Sequence, residues 1–156
     1  MVQAVKYRGK LGIARELGQM LADSLIAVCP DAAARWDHIV PMPLHRTRLR
    51  QRGFNQAVEL ARPVAAALRI PLALDQVRRI VATASQTDLP LADRQANMRG
   101  AFSCAGDVAG RSILLLDDVM TTGASLDALA TELRRQGART VDNAVLARTF
   151  SPGHHV

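Results

Sequence analysis

The chain has few of the residue types on which several classes of protein depend. Its 156 residues include two cysteines, and aromatic side chains make up 3% of the total. Cys29 and Cys104 stand alone in the sequence and cannot supply a four-ligand structural zinc site, so we expect no bound metal of that kind. Two isolated cysteines also fit a reducing compartment, and we predict a cytoplasmic protein. Because aromatic residues are scarce, the core must be built from aliphatic side chains.

Long apolar runs are missing as well. The apolar stretch 17–28 is interrupted by Gln19, Asp23 and Ser24 and has a helical period, so it fits neither a secretory signal nor a membrane span. Nothing else approaches the ~20 apolar residues that crossing a bilayer requires, and we expect no membrane partner. The length suits one domain, residues 1–156, without a convincing internal boundary.

Lysine is nearly absent, so the positive charge comes from arginine. Lysine and arginine number 20 against 14 acidic residues, a formal net charge of +6, and Lys6 and Lys10 are the only lysines. A net positive field favours anionic partners such as phosphates, nucleotides or nucleic acid. A GC-rich coding sequence would also favour arginine regardless of function, and it explains the arginine content about equally well.

Helical and strand periods alternate along the chain, which predicts an α/β fold with a parallel sheet. Apolar residues at helical spacing predict helices over about 11–28, 55–68 and 126–133. Strands are expected at 38–42, 113–116 and 141–146, with one or two short ones within 72–80. Pro63 should kink or break the second helix. Residues 82–97 show no steady period and indicate a mobile loop.

The most informative segment is an apolar run that ends in two acids and a short turn. Residues 113–125 are Ile-Leu-Leu-Leu-Asp-Asp-Val-Met-Thr-Thr-Gly-Ala-Ser. The backbone N–H groups of the turn and of the following helix N-terminus can hold a phosphate. The carboxylates of Asp117 and Asp118 can accept hydrogen bonds from ribose hydroxyls. The segment therefore favours a phosphorylated sugar as the ligand.

Three other interpretations of this segment compete with a sugar-phosphate site. A receiver-domain acid pocket lies near the start of its fold, whereas 38 residues, 156 minus 118, follow Asp118 here. A nucleotide P-loop would need Gly-Lys-Ser/Thr after the turn, and that triplet is absent from this position. An ordinary strand-to-helix turn capped by threonine explains the residues about as well as a sugar-phosphate site does.

The same segment closely resembles the phosphoribosyl pyrophosphate (PRPP) loop of type I phosphoribosyltransferases. Residues 40–57, Val-Pro-Met-Pro-Leu-His-Arg-Thr-Arg-Leu-Arg-Gln-Arg-Gly-Phe-Asn-Gln-Ala, are similar to ComF-family competence proteins. So are the stretch 83–102 and the Lys-Tyr-Arg-Gly of residues 6–9. The resemblance covers residues 4–149 and implies a type I phosphoribosyltransferase-like α/β fold, with a mainly parallel sheet flanked by helices. ComF proteins commonly carry a Cys-rich zinc module ahead of this domain. Either this member lacks that module, or the sequence begins downstream of it.

The resemblance also implies roles for individual residues toward PRPP and Mg²⁺. Asp117 and Asp118 would be catalytic and hold the ribose hydroxyls, and Mg²⁺ would be bound mainly through oxygens of PRPP and water. The 5-phosphate would be held by Thr121, Thr122, Gly123, Ala124 and Ser125. The pyrophosphate would contact Pro43, Leu44, His45 and Arg46. A flexible loop at about 82–98 would close over the ligand with the polar residues Ser85, Gln86, Arg94, Asn97 and Arg99.

Arginine occupies every second position from 46 to 52, directly after the first predicted strand. Side chains at this spacing cannot share one helical face, but in an extended loop all four would project to one side. Guanidinium groups bind phosphate oxygens bidentately, so the row suits pyrophosphate or a polynucleotide. With Arg46 given to pyrophosphate, Arg48, Arg50 and Arg52 are candidates for nucleic-acid binding. Alternatively, the segment is a solvated basic loop that has no role in binding.

Two hypotheses about function follow. In the first, the protein is an enzyme that transfers the phosphoribosyl group of PRPP to an amine or a nucleobase. In the second, it is a non-catalytic, PRPP-regulated protein that binds single-stranded DNA in the competence or DNA-uptake machinery. The extra arginines favour the second hypothesis, whereas the scarcity of aromatic stacking platforms, Tyr7 and Phe54 being the candidates, opposes it. Either hypothesis is compatible with a homodimer.

Overall fold

The computed structural model describes residues 2–81 and 100–149, with side chains from residue 11 onward. The predicted flexible loop lies outside the described residues. Helices and strands alternate along most of the chain. The helices are α1 (Val2–Val28), α2 (Ala32–Arg35), α3 (Arg46–Arg52), α4 (Gln56–Leu68) and α5 (Ala124–Arg135). The strands are β1 (His38–Pro41), β2 (Val77–Arg79), β3 (Phe102–Cys104), β4 (Ser112–Met120) and β5 (Thr140–Arg148).

A parallel sheet in the order β1-β4-β5 forms the centre of the fold, which confirms the predicted α/β class. In the register of this sheet Ile39 lies opposite Leu114, and Leu116 lies opposite Ala144. Leu72 forms a parallel bridge with Ile39 on the outer side of β1, as expected for the predicted short strand. Since the strands are parallel, their carboxyl ends meet at one edge of the sheet, where open α/β folds place ligands.

β4 is buried on both faces because helices cover both sides of the sheet. Ile113 and Leu115 belong to a cluster that contains Leu126, Leu129 and Leu133 of α5. Leu114 and Leu116 instead belong to a cluster that contains Leu60 and Val64 of α4 and, at its margin, Leu17, Leu21 and Leu25 of α1. Alternate residues of one strand thus serve two half-cores, which explains the unbroken apolar run in the sequence.

α1 and α4 pack closely at Gly18. A Cβ atom at this position would lie 2.5 Å from the carbonyl oxygen of Leu60 and 2.5 Å from Cγ of Pro63, so only glycine fits. α1 begins at Val2 rather than at residue 11. α4 is one helix from Gln56 to Leu68, so the predicted break at Pro63 does not occur. A proline ring removes one helical hydrogen bond, and here the ring lies against α1 at Gly18.

A second, antiparallel pair of strands lies beside the main sheet. β2 pairs with β3, with Val77 opposite Cys104 and Arg79 opposite Phe102. β3 was not predicted, because three residues are too few to show a period. Along the described ranges, no helix is both long and apolar enough to cross a membrane.

Candidate active site

β4 continues past the apolar run and carries both acids within it. The prediction that the strand ends at Leu116 is therefore wrong, because β4 extends to Met120. Asp117 lines the pocket described below, and Asp118 is not part of that lining. The two carboxyl groups nevertheless interact, because the side chain and the charge of Asp118 both raise the pKa of Asp117. The structure thus places Asp117 at the site, with Asp118 beside it.

An open pocket lies at the carboxyl end of β4. It contains about 280 Å³ of empty space, part of which is open solvent. Its walls are Asp117, Val119 and every residue from Met120 to Leu126. All five residues predicted to hold a 5-phosphate, 121–125, are therefore brought together with Asp117 around one pocket.

The turn between β4 and α5 is shaped by Gly123. This residue has φ +80°, in the left-handed region that costs other residues about 1–2 kcal/mol. It is the N-cap of α5, and no side chain caps the helix from that position. The Thr122 hydroxyl oxygen accepts a long hydrogen bond from the Ala124 N–H at 3.4 Å. The first N–H groups of a helix have no partner within the helix, so a phosphate in this pocket could accept hydrogen bonds from them.

Asp117 has an unusual acidity for a carboxyl group. Burial raises the pKa of Asp117 from its ordinary 3.8 to about 7. The Asp118 N–H, which donates to Asp117 Oδ1 at 2.9 Å, lowers this pKa, whereas the negative charge of Asp118 raises it. The positive charge of Arg79 also lowers it. Asp117 therefore gains and loses a proton near neutral pH, as groups at active sites often do.

Arg79 is a candidate site residue that the sequence did not reveal. It ends β2 and is partly buried, and its guanidinium carbon lies 5.6 Å from the centroid of the Phe102 ring. Burial lowers the pKa of Arg79, and the charge of Arg48 lowers it further, whereas Asp117 raises it. No motif surrounds Arg79, and the pair Arg78-Arg79 in a predicted strand was the only signal available.

The predicted pyrophosphate loop, Pro43, Leu44, His45 and Arg46, lies at the same edge of the sheet. It follows β1, which is paired with β4, and the Met42 N–H donates to the Leu116 carbonyl oxygen at 2.8 Å. Asn55 holds the far end of the connection in place. Its Nδ2 donates to the Met42 carbonyl oxygen at 2.9 Å, and its Oδ1 accepts from the Ala57 N–H at 3.0 Å. Because Pro41 lies opposite Leu116, the loop starts one residue beyond the level of Asp117, although its role toward pyrophosphate stays a prediction.

The row of arginines is not extended, and the prediction that all four project to one side is wrong. Residues 46–52 form α3. His45 caps the start, where its Nδ1 accepts from the Thr47 N–H at 3.3 Å. Gly53, with φ +77°, ends the helix by donating its N–H to the Leu49 carbonyl oxygen at 2.8 Å. These two caps decide the local structure, and they outweigh the alternating spacing of the arginines.

The helix separates the four arginines into different environments. At about 3.6 residues per turn, side chains two positions apart point roughly in opposite directions. Arg48 is partly buried, whereas the other three are exposed, namely Arg46, Arg50 and Arg52. Arg52 also donates to Gln56 Oε1 at 2.8 Å. Arg46 and Arg50 therefore share one side of α3, and Arg48 and Arg52, four positions apart, share the other.

Two further predictions concern the flexible loop and the bound metal ion. Ser85, Gln86, Arg94, Asn97 and Arg99 lie outside the described residues. Within residues 2–81 and 100–149, no group of three or more His, Cys, Asp or Glu side chains is arranged to hold a metal ion. The oxygen atoms around the pocket, the Asp117 carboxylate and the threonine and serine hydroxyls, suit a hard ion such as Mg²⁺ that takes most of its ligands from substrate and water.

Similar proteins point to one family. The profile of the phosphoribosyl transferase domain matches residues 55–153. DNA utilization protein YhgH of Salmonella typhimurium is 33% identical over 151 residues, which are 96% of this chain and 66% of that protein. Competence protein F of Haemophilus influenzae is 32% identical over 158 residues, 95% of this chain and 66% of its own length. This chain thus spans slightly less than two thirds of the length of both curated relatives.

The fold agrees with this assignment. The crystal structure of a purine phosphoribosyltransferase from Pyrococcus horikoshii matches 92% of this chain and 79% of its own, with a TM-score of 0.50 and 18% identity. At this identity the match concerns the fold alone, and it confirms the predicted type I phosphoribosyltransferase-like architecture. Because the domain profile covers more than half of its residues and competence protein F aligns along nearly all of them, the chain belongs to the phosphoribosyl transferase family, with the predicted relationship to ComF proteins.

Proposed function

We propose that this protein binds PRPP, together with Mg²⁺, in the pocket at the carboxyl end of β4. One observation carries the proposal: Asp117 and residues 121–125 line a single pocket at the N-terminus of α5. The family of the chain supports it, because phosphoribosyl transferase names the group that such proteins transfer. The net charge of +6 favours an anionic ligand.

Each part of the pocket has a role in this proposal. The 5-phosphate lies on the turn at residues 121–125, where the helix N-terminus supplies N–H donors and positive dipole character. Asp117, in its deprotonated form, accepts hydrogen bonds from the ribose hydroxyls. Asp118 lies beside Asp117 and interacts with it, so it adds negative charge next to the ribose hydroxyls. Mg²⁺, held mainly by PRPP oxygens and water, supplies charge neutralisation for the pyrophosphate group.

The reaction that fits this site is transfer of the phosphoribosyl group to an amine or nucleobase nitrogen. The nitrogen lone pair forms a bond to C1 of the ribose while the bond from C1 to the pyrophosphate oxygen breaks. Pyrophosphate leaves with that electron pair, and the proton released by the nitrogen leaves with it. The protein contributes positioning and placed charge rather than a strong base.

Isothermal titration calorimetry with PRPP and Mg²⁺ tests the proposal. We expect saturable binding, and a double variant, Thr121→Val with Ser125→Ala, should weaken it by about 10-fold or more because two hydroxyl donors at a charged ligand are lost. Thr131→Val is the matched control, since Thr131 is exposed and lies two turns further along α5. Absence of heat with the wild type at millimolar PRPP would show that the proposal is wrong.

A second candidate function is PRPP-regulated binding of single-stranded DNA without catalysis. The observation that favours it is the exposure of three arginines on α3, next to the proposed pyrophosphate loop, namely Arg46, Arg50 and Arg52. The names of the curated relatives, DNA utilization protein and competence protein F, also support a role that involves DNA. Measuring PRPP consumption against a panel of amines and nucleobases, beside a titration of single-stranded DNA with and without PRPP, separates the two functions.

A further inference from the structure

The excess positive charge of the chain is concentrated in two segments. Residues 2–10 carry three cations and residues 46–52 carry four, whereas the first acid in the sequence is Glu16 and none lies between Asp37 and Glu59. Since these are seven of the 20 lysines and arginines, the other 13 are balanced by the 14 acids. A base composition that favours arginine acts along the whole chain and does not explain why the excess is confined to two segments.

Arginines elsewhere on the surface face acids, whereas those of α3 do not. Arg15 lies 3.4 Å from Glu59, and Arg35 lies 3.1 Å from Asp142. The arginines in such ion pairs are Arg15, Arg35, Arg62, Arg111, Arg135 and Arg139. Within residues 11–81 and 100–149, no acid forms an ion pair with an arginine of α3. The charge of α3 therefore suits an anionic partner from outside the fold.

α1 and α4 run in the same direction along one face of the sheet. Arg15 of α1 pairs with Glu59 of α4. Gly18, three residues further along α1, lies against Leu60 and Pro63, which also come later in α4. The two helices therefore start at the same edge of the sheet and descend from it together.

That common edge is the one that holds α3. α4 starts at the carboxyl end of β1, where its N-cap residue Asn55 donates to the Met42 carbonyl oxygen at 2.9 Å. α3 ends only three residues before this cap. Because Arg15 lies level with Glu59, residue 12 lies level with the first residue of α4, and α1 begins ten residues earlier, at Val2. At about 1.5 Å per residue, the first turns of α1 extend about 15 Å past the start of α4, which brings both basic segments to the carboxyl edge.

We propose that residues 2–10 of α1 and residues 46–52 of α3 form one binding surface for the backbone of single-stranded nucleic acid. This inference rests on the second candidate function and adds to it the first turns of α1. Cations on two separate elements neutralise several phosphates along an extended strand. Tyr7 lies within the α1 segment, and an aromatic residue among cations suits the stacking of unpaired bases.

Fluorescence anisotropy with a labelled oligothymidylate, measured at several salt concentrations, tests the inference. Lys6→Gln with Lys10→Gln should reduce the slope of log affinity against log salt by about 1.4, because each phosphate contact contributes about 0.7 on a single strand. Arg50→Gln with Arg52→Gln should have an equal effect, and a variant with all four changes should lose about 2.8. Tyr7→Leu should weaken binding by about 10-fold at every salt concentration and keep the slope.

The matched control removes two charges from other surfaces. Arg62→Gln with Arg135→Gln changes exposed residues on α4 and α5 and should keep the slope. If this control reduces the slope as much as the α1 variant does, binding follows net charge and the inference is wrong. It is also wrong if the α1 variant keeps the slope of the wild type. Lys6→Arg with Lys10→Arg keeps both charges and should keep the slope, which separates a loss of charge from a loss of folding.

Calorimetry with PRPP distinguishes this inference from the proposed pocket. If the wild type binds PRPP but no oligothymidylate, the inference fails and the pocket stands. If it binds oligothymidylate with the expected losses in the variants but no PRPP, the pocket fails and the inference stands. Binding of phosphatidylserine vesicles in place of oligothymidylate, lost in the same variants, would assign the surface to a membrane and overturn the inference.

Discussion

Replacing Asp117 by asparagine should stabilise the ligand-free protein at neutral and higher pH while it weakens PRPP binding. Burial raises the pKa of Asp117 from 3.8 to about 7, so the folded protein disfavours the charged carboxylate. The unfolded chain has no such penalty. An asparagine keeps an oxygen that can accept the Asp118 N–H, now donated at 2.9 Å, but it never ionises. The variant therefore avoids the cost of burying a charge.

The sign and the size of the effect follow from proton linkage. Below a pH of about 4 the carboxyl group is protonated in both states and costs nothing. As pH rises toward about 7, the unfolded chain releases this proton first, so the wild type loses stability, and above that pH the loss is constant. A rise in the pKa of Asp117 from 3.8 to about 7 corresponds to at most about 4 kcal/mol of unfolding free energy. Partial exposure of the Asp117 side chain reduces this free energy, and we expect the variant to be more stable than the wild type by about 1–2 kcal/mol.

Urea unfolding followed by circular dichroism at about pH 5 and about pH 8 measures the difference, and the gain should be larger at the higher pH. A gain of 1 kcal/mol corresponds to a rise of about 2–4 °C in melting temperature for a chain of this size. Asp75→Asn is the matched control, because it removes one charge from an exposed residue outside the pocket. The reasoning is refuted if Asp117→Asn is less stable than wild type at the higher pH, or if Asp75→Asn shows the same pH-dependent gain.

Three further substitutions test other features. Gly123→Ala should lower stability by about 1 kcal/mol and weaken PRPP binding, because φ +80° strains any residue with a Cβ; thermal unfolding and calorimetry measure the two effects. Gly18→Ala should lower stability by several times that amount, because its Cβ would lie 2.5 Å from Leu60 O, whereas Gly12→Ala, with nothing within 4 Å, should be neutral or stabilising. Replacing Arg50 and Arg52 of α3 by alanine should reduce the slope of log affinity for single-stranded DNA against log salt by about 1.4, if two phosphate contacts are lost, and a change near zero would contradict the DNA-binding candidate.

The central sheet was predictable because its signals are local and strong. Residues 113–116 are apolar without interruption, since both faces of β4 are covered, and residues 126–133 show the period of the helix that covers one of them. The turn at residues 121–125 was predictable for a similar reason. Gly123 stands where a left-handed residue and a helix N-cap coincide, and such positions strongly favour glycine. These features depend on a few neighbours in sequence.

The features that could not be predicted from the sequence share a different cause. β4 extends through two acids because its pairing with β5 continues to Met120 opposite Arg148, and no period in the sequence reveals hydrogen bonds to another strand. α3 forms although it has no buried residue, because His45 and Gly53 cap a segment of seven residues. Histidine is not a preferred N-cap residue, so the start of this helix carries no strong signal. Arg79 was missed because its neighbours, Arg48 and Asp117, are distant in sequence.

The position of α3 makes the two candidate functions separable by single residues. If the helix serves only the sugar-phosphate site, Arg46→Gln should lower PRPP affinity, and replacement of Arg50 and Arg52 should affect neither ligand. If the helix also binds DNA, loss of Arg50 and Arg52 should weaken DNA binding while PRPP affinity is kept, since both side chains are exposed and lie beyond the predicted pyrophosphate loop. A coupling between the ligands would then show as a change in DNA affinity when PRPP is added, and Arg46→Gln should reduce that change at PRPP concentrations below saturation. The extended arrangement expected from the sequence could not separate these effects, because all four arginines would have shared one surface.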